Sequence, residues 1–282
     1  MSKEAPLPVR SATYKGGITD TSRWDNFKPR PDDVFICTPP KCGTTWTQAI
    51  VAMLVFETHD HGEQPGVISP WIDANFAPID EYLEQINIQS HRRYIKTHTP
   101  LDGIPYFSEC TYLVVARDPR DMYFSLRNHR ENMADEALAS GVLPRGENEF
   151  EKWVSGSLDP TDFDRQTLET PTHFLQTYWD YKDVPNIHFF HYFDMKQDMR
   201  SHIEKLANIL KISLSDEQLD AMAKAATFEN MQVNGDQYAP GSGSGIWKKD
   251  AAFFATGKNS QWRDRLTPEQ TKMFDDRIKT LI

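Results

Sequence analysis

Val34-Phe-Ile-Cys37 runs directly into Thr38-Pro-Pro-Lys-Cys-Gly-Thr-Thr-Trp46, and an apolar stretch continues to Phe56. A short unbroken apolar run closed by prolines reads as a buried strand, and the longer run after it as a helix over Thr44 to Phe56. The loop between them has the composition of an anion site. Free backbone N–H groups and the helix dipole gather negative charge at a helix start. Gly43 lets the main chain approach a ligand closely, and Lys41, Thr44 and Thr45 add a cation and two hydroxyls. An ordinary strand-to-helix turn needs only a glycine and a capping threonine. The lysine precedes the glycine and the first glycine of G-x-x-x-x-G-K-[ST] is missing, so the loop does not match the nucleoside triphosphatase pattern and its order speaks against a phosphate-loop kinase.

Outward from this loop, short apolar runs alternate with amphipathic ones. Arg93 to Thr97, Tyr112 to Ala116 and Ile187 to His191 read as strands. Asp118 and Pro119 suit the N-cap and first position of a helix, and Thr172 to Lys182 predicts another. Ser215-Asp-Glu-Gln218 and Thr267-Pro-Glu-Gln270 have capping-box spacing and open two more. Such alternation predicts an α/β fold, a single domain with a mostly parallel central sheet flanked by helices. Residues 1–30, rich in Pro, Lys and Arg, read as an N-terminal arm packed on or trailing from a domain of residues 31–282. The stretch from Gly235 to Gly245 (GDQYAPGSGSG) has the make-up of a lid.

The chain has 282 residues, and 31 Lys plus Arg against 41 Asp plus Glu leave a net charge of −10. That sign argues against a nucleic-acid coat protein, whose phosphate contacts need a basic face. The longest apolar run, Ala49 to Phe56, is far short of the ~20 residues that span a bilayer, and MSKEAPLPVR has no signal-peptide core. Three cysteines, Cys37, Cys42 and Cys110, form no disulfide framework, so a cytoplasmic protein without membrane or nucleic-acid partners is expected.

Two further segments carry chemistry. In Lys96-Thr-His-Thr-Pro100, period-two alternation puts Lys96 and His98 on one side of the strand, at the C-terminal edge where parallel sheets bind ligands. In Arg117-Asp-Pro-Arg-Asp-Met-Tyr-Phe-Ser125, a guanidinium at a strand end and a hydroxyl on the next helix can share one phosphate. Arg120 reads as a solvated helix charge. His59-Asp-His61 lacks the third and fourth ligands of a closed zinc site.

Together these motifs resemble the cytosolic sulfotransferase family, whose loop reads Pro-Lys-Ser-Gly-Thr-Thr-Trp; only Cys42 departs from it. The resemblance covers blocks from residue 38 to 262 and implies a phosphate-loop, sulfotransferase-like domain. It implies transfer of a sulfuryl group from 3′-phosphoadenosine 5′-phosphosulfate (PAPS) to a hydroxyl of a small, aromatic or apolar acceptor. The alternatives are a non-catalytic nucleotide binder and a phosphate-loop kinase. On the family pattern Lys41, Cys42, Gly43, Thr44 and Thr45 cradle the phosphosulfate, Cys42 through its backbone N–H, and Trp46 packs on the adenine. His98 is then the catalytic base, Lys41 and Lys96 supply the positive charge without a metal, and Arg117 and Ser125 bind the 3′-phosphate. Tyr192, in Tyr-Phe-Asp-Met-Lys196, and Thr227 with Phe228, in Thr-Phe-Glu-Asn-Met231, match family segments beside the base.

Two departures from the family are visible. Its Arg-Lys-Gly segment, five residues before a tryptophan, becomes Ala255-Thr256-Gly257 before Trp262, so one cation of the 3′-phosphate clamp is missing and Lys258 is the candidate replacement. The C-terminal dimer motif has Pro268 for its valine and Lys272 for its glutamate, which leaves the oligomeric state open. Trp71, Phe76, Tyr82, Tyr106, Phe107, Tyr238, Trp247 and Phe254 fall in segments that line the family's acceptor pocket.

Overall fold

A computed structural model describes residues 6–62, 64–136, 141–143 and 146–282. Four parallel strands form the sheet: β1 (Val34–Cys37), β2 (Tyr94–Thr97), β3 (Thr111–Ala116) and β4 (Ile187–His191), in the order β2-β1-β3-β4. Cys37 pairs with Thr97 on one side and Val114 on the other. This register brings the loop after β1, His98 after β2 and Arg117 after β3 to one edge.

Side-chain alternation sorts the core into two layers. Val34, Ile36, Tyr94, Leu113 and Val115 face α1 (Thr44–Val55), which is buried almost throughout, together with two later helices. Phe35, Cys37, Ile95, Tyr112 and Val114 face the opposite layer, with Phe174 and Tyr178 of the helix Glu169–Trp179. That helix begins three residues earlier than the sequence predicts, because Pro171 fits its first turn, where no N–H partner is needed. A third cluster joins α2 (Pro119–Asn132) to Trp153 and Phe274.

Capping follows the sequence closely. Asp118 accepts from the Arg120 N–H and Pro119 opens α2. Both capping boxes form, at Ser215 with Gln218 and at Thr267 with Gln270. Arg120 is not a solvated charge: it pairs with Asp118 at 2.9 Å and lies 3.6 Å over the Trp262 ring, where the flat guanidinium stacks. The described part of the N-terminal arm is packed down, with Tyr14, Trp24 and Phe27 buried and Asp164 holding the Ile18 and Thr19 N–H groups.

Candidate active site

The loop after β1 turns sharply at Lys41 (φ 65°) and Gly43 (φ 96°), both in the left-handed region. A Cβ on Gly43 would stand 2.8 Å from Tyr192 Cδ2, so glycine is required by space as well as by conformation. Pro40, Lys41, Gly43, Thr44, Thr45 and Trp46 line one wall of a cavity of about 530 Å³. Cys42 turns away into the α2 cluster, and burial pushes its thiol up to about 12 against the opposing pull of Arg117. A protonated, enclosed thiol is no redox sensor.

Lys96 and His98 project into the same cavity, as their alternation requires. The His98 ring donates from Nδ1 to the Thr38 carbonyl at 2.7 Å, which leaves Nε2 as its proton-accepting atom. Burial and then the Lys96 charge lower His98 to about 3, so the ring is neutral. Trp71 sets both groups: Lys96 Nζ lies 4.6 Å over its ring and His98 meets the ring edge-on at 4.8 Å. Burial lowers Lys96 to about 8; burial, then Arg117 and Lys96, lower Lys41 to about 7.

Behind His98 sits Asp73, fully buried and absent from any motif. It accepts from Thr97 Oγ1 at 2.8 Å, Thr99 Oγ1 at 2.6 Å and Trp24 Nε1 at 3.0 Å. The residues on either side of His98 are thereby tied to one carboxylate, which fixes the backbone that carries the imidazole. Burial raises the Asp73 pKa against these three bonds.

On the other side of the loop, Arg117 donates to the carbonyls of Lys41 at 3.2 Å and Lys258 at 2.9 Å and lies 4.5 Å over the Tyr192 ring. Its Nε is buried without a partner among the described residues. Arg117, Ser125, Tyr192, Phe228 and Gly257 all line the cavity. Trp46 donates from Nε1 to the Ala226 carbonyl at 2.7 Å and meets Tyr192 edge-on. Gly257 (φ 55°) is pressed against Phe228, where a Cβ would lie 2.4 Å from Cδ2. Besides Cys42, two predicted residues stand outside the cavity lining. Thr227 is exposed and caps the helix Phe228–Val233. Lys258 is exposed as well, with its carbonyl rather than its ammonium on Arg117.

The remainder of the cavity is mostly apolar: Trp71, Phe76, Met133, Val142, Phe163, Ile246, Trp247, Phe253 and Phe254 line it, with Thr19, Asp164 and Gln166 among them. Tyr82, Tyr106 and Phe107 pack instead against the β1–β3 core, and Tyr238 against the α1 side. Of the polar groups that escaped the sequence reading, His129 stands beside the loop lysine. His129 lies on α2 four residues after Ser125, therefore on the same helix face, and its Nδ1 is 3.1 Å from Lys41 Nζ.

Residues 31–282 match the family described as the sulfotransferase domain. This chain belongs to the sulfotransferase family. Over its whole length this sulfotransferase is 32% identical to the glycolipid sulfotransferase of Mycobacterium bovis, covering 94% of that protein. It is also 32% identical to the amine sulfotransferase of Oryctolagus cuniculus, over 97% of this chain and 89% of the relative. Among solved structures, a mouse sulfotransferase complexed with PAP shares the fold with a TM-score of 0.72 and 21% identity, over 92% of this chain and 88% of the other. Retinol dehydratase in a complex with retinol and PAP gives 0.72 and 22%, over 91% and 82%. Among the described residues, no helix of this sulfotransferase is long and apolar enough to cross a membrane.

Proposed function

We propose that this sulfotransferase moves the sulfuryl group of PAPS to a hydroxyl on a small acceptor with an apolar or aromatic body. The observation that carries the reading is the His98 tautomer: Nδ1–H is committed to Thr38, and Nε2 is a neutral base in a cavity with two half-buried lysines. The acceptor O–H gives its proton to Nε2 while its oxygen bonds to sulfur. The bond from sulfur to the bridging phosphate oxygen breaks, and the 3′,5′-bisphosphate product (PAP) leaves with that electron pair. Lys41 and Lys96 offset the charge that builds on the transferring group and the departing phosphate.

The residues present suit the donor. Loop residues 41–45 at the start of α1 take the phosphosulfate. Arg117 and Ser125 take the 3′-phosphate, with the unpartnered Arg117 Nε beside them. Trp46, Tyr192, Phe228 and Thr227 take the adenine end, of which the first three line the cavity. Gly257 lets the main chain close in, and the Lys258 stem starts next to Arg117. A turnover assay with PAPS and a panel of phenols, alcohols and amines, with and without magnesium, tests the reading. Sulfated product from hydroxyl acceptors without magnesium supports it; product from none of them overturns it.

A further inference from the structure

The cavity holds two histidines whose partners favour opposite tautomers. His98 donates from Nδ1 to the Thr38 carbonyl at 2.7 Å, which leaves Nε2 as an acceptor. The Nδ1 of His129 faces Lys41 Nζ at 3.1 Å, which in its charged form has hydrogens to give and no lone pair to receive one. A neutral His129 therefore accepts at Nδ1 and carries its proton on Nε2. Burial, with Lys41, Lys96 and His98 as further causes, holds His129 well below the usual imidazole range, so the ring is neutral. No residue among those described accepts from Nε2–H, and the ring opens on the cavity. Two rings that also touch each other pack against the imidazole, Trp247 at 4.8 Å and Phe253 at 5.6 Å.

We infer that His129 is the second contact for the acceptor: its Nε2–H donates to an oxygen of the acceptor other than the reacting hydroxyl. The substrate class that fits is an oxygenated one, in which a neighbouring hydroxyl, ring ether or carbonyl lies within a few bonds of the hydroxyl that gives its proton to His98. A simple phenol or an unsubstituted cyclic alcohol leaves the His129 donor unmet beside Trp247 and Phe253, and a buried donor without a partner is unfavourable. Lys41 keeps the tautomer while the donor is bound, because an ammonium has three N–H groups and can hold the imidazole and a phosphosulfate oxygen together. The inference rests on the hydroxyl-transfer reading above and narrows it.

Matched acceptor pairs test it: catechol against phenol, cyclohexane-1,2-diol against cyclohexanol, and a methyl pyranoside against cyclohexanol. Each is measured as kcat/KM at saturating PAPS for the wild type, His129→Phe and His129→Gln. One hydrogen bond of this kind corresponds to a preference of about tenfold or more for the oxygen-rich member. His129→Phe should bring that ratio close to one, and His129→Gln, which keeps an N–H donor, should restore part of it. A general loss of packing at this position would lower both members of a pair together and leave the ratio intact. Equal turnover of both members by the wild type, or a ratio unchanged in His129→Phe, would overturn the inference and leave the sulfuryl-transfer reading standing. No transfer to any member, with PAP binding intact by calorimetry, would overturn both.

Discussion

The carbonyl oxygen of Thr38 lies 2.7 Å from Nδ1 of His98 and sets which nitrogen of that ring faces the cavity. The loop that follows β1 thereby also orients the imidazole that follows the neighbouring strand. Because burial and Lys96 lower His98 to about 3, its protonation should not limit the free enzyme between pH 5 and 7. The alkaline side should be set by Lys41: its pKa is lowered to about 7, so its charge is lost as pH rises through that value. kcat/KM for PAPS, which reports the free enzyme, should fall above pH ~7. kcat should hold to higher pH, since the bound phosphosulfate favours the charged lysine. An acid limb near pH 6 in kcat/KM would contradict this assignment.

Asp73 holds Thr97 and Thr99 on either side of His98. Asp73→Ala should lower kcat with little change in KM for PAPS. It should also destabilise the fold by about 1–3 kcal/mol for each buried donor left without a partner. Asp73→Asn, which still accepts at one oxygen, should recover part of kcat. An unchanged kcat in Asp73→Ala would remove its positioning role.

Arg117→Lys should weaken PAP binding far more than binding of the 5′-monophosphate. The flat guanidinium reaches the Lys41 and Lys258 carbonyls while stacking on Tyr192, and a lysine reproduces neither the fork nor the stack. The expected loss for the 3′-phosphate is on the order of 1.5–3 kcal/mol, read by titrating both nucleotides into both proteins. An unchanged ratio would place the 3′-phosphate elsewhere.

Lys258→Ala tests the candidate replacement for the family's missing cation. If the ammonium swings onto the 3′-phosphate, PAP affinity falls and 5′-monophosphate affinity hardly changes. Equal affinities before and after substitution would leave Arg117 and Ser125 as the side-chain clamp.

Much of this site was legible because it depends on local order along the chain. The run from Val34 to Trp46 specifies its own strand, turn and helix start, and the alternation of Lys96 with His98 places both on one face. Parallel register then brings the segments to one edge without further information. What escaped depends on contacts between distant segments. Asp73 serves His98 through two threonines across a chain crossing, and no spacing announces a carboxylate whose partners are hydroxyls. His129 carried one faint signal, its position four residues after Ser125. The side-chain directions of Thr227 and Lys258 were equally hidden, since a motif match fixes a position in the chain and not the way its side chain turns.

The most direct measurement of the central claim compares wild type with His98→Ala in sulfuryl transfer from PAPS to a hydroxyl acceptor, with PAP affinity measured by calorimetry on the same preparations. The account predicts that transfer falls by about 10²–10⁴-fold while PAP binds as before, because the base acts on the acceptor proton and not on the donor. Turnover of His98→Ala near the wild-type rate would contradict it.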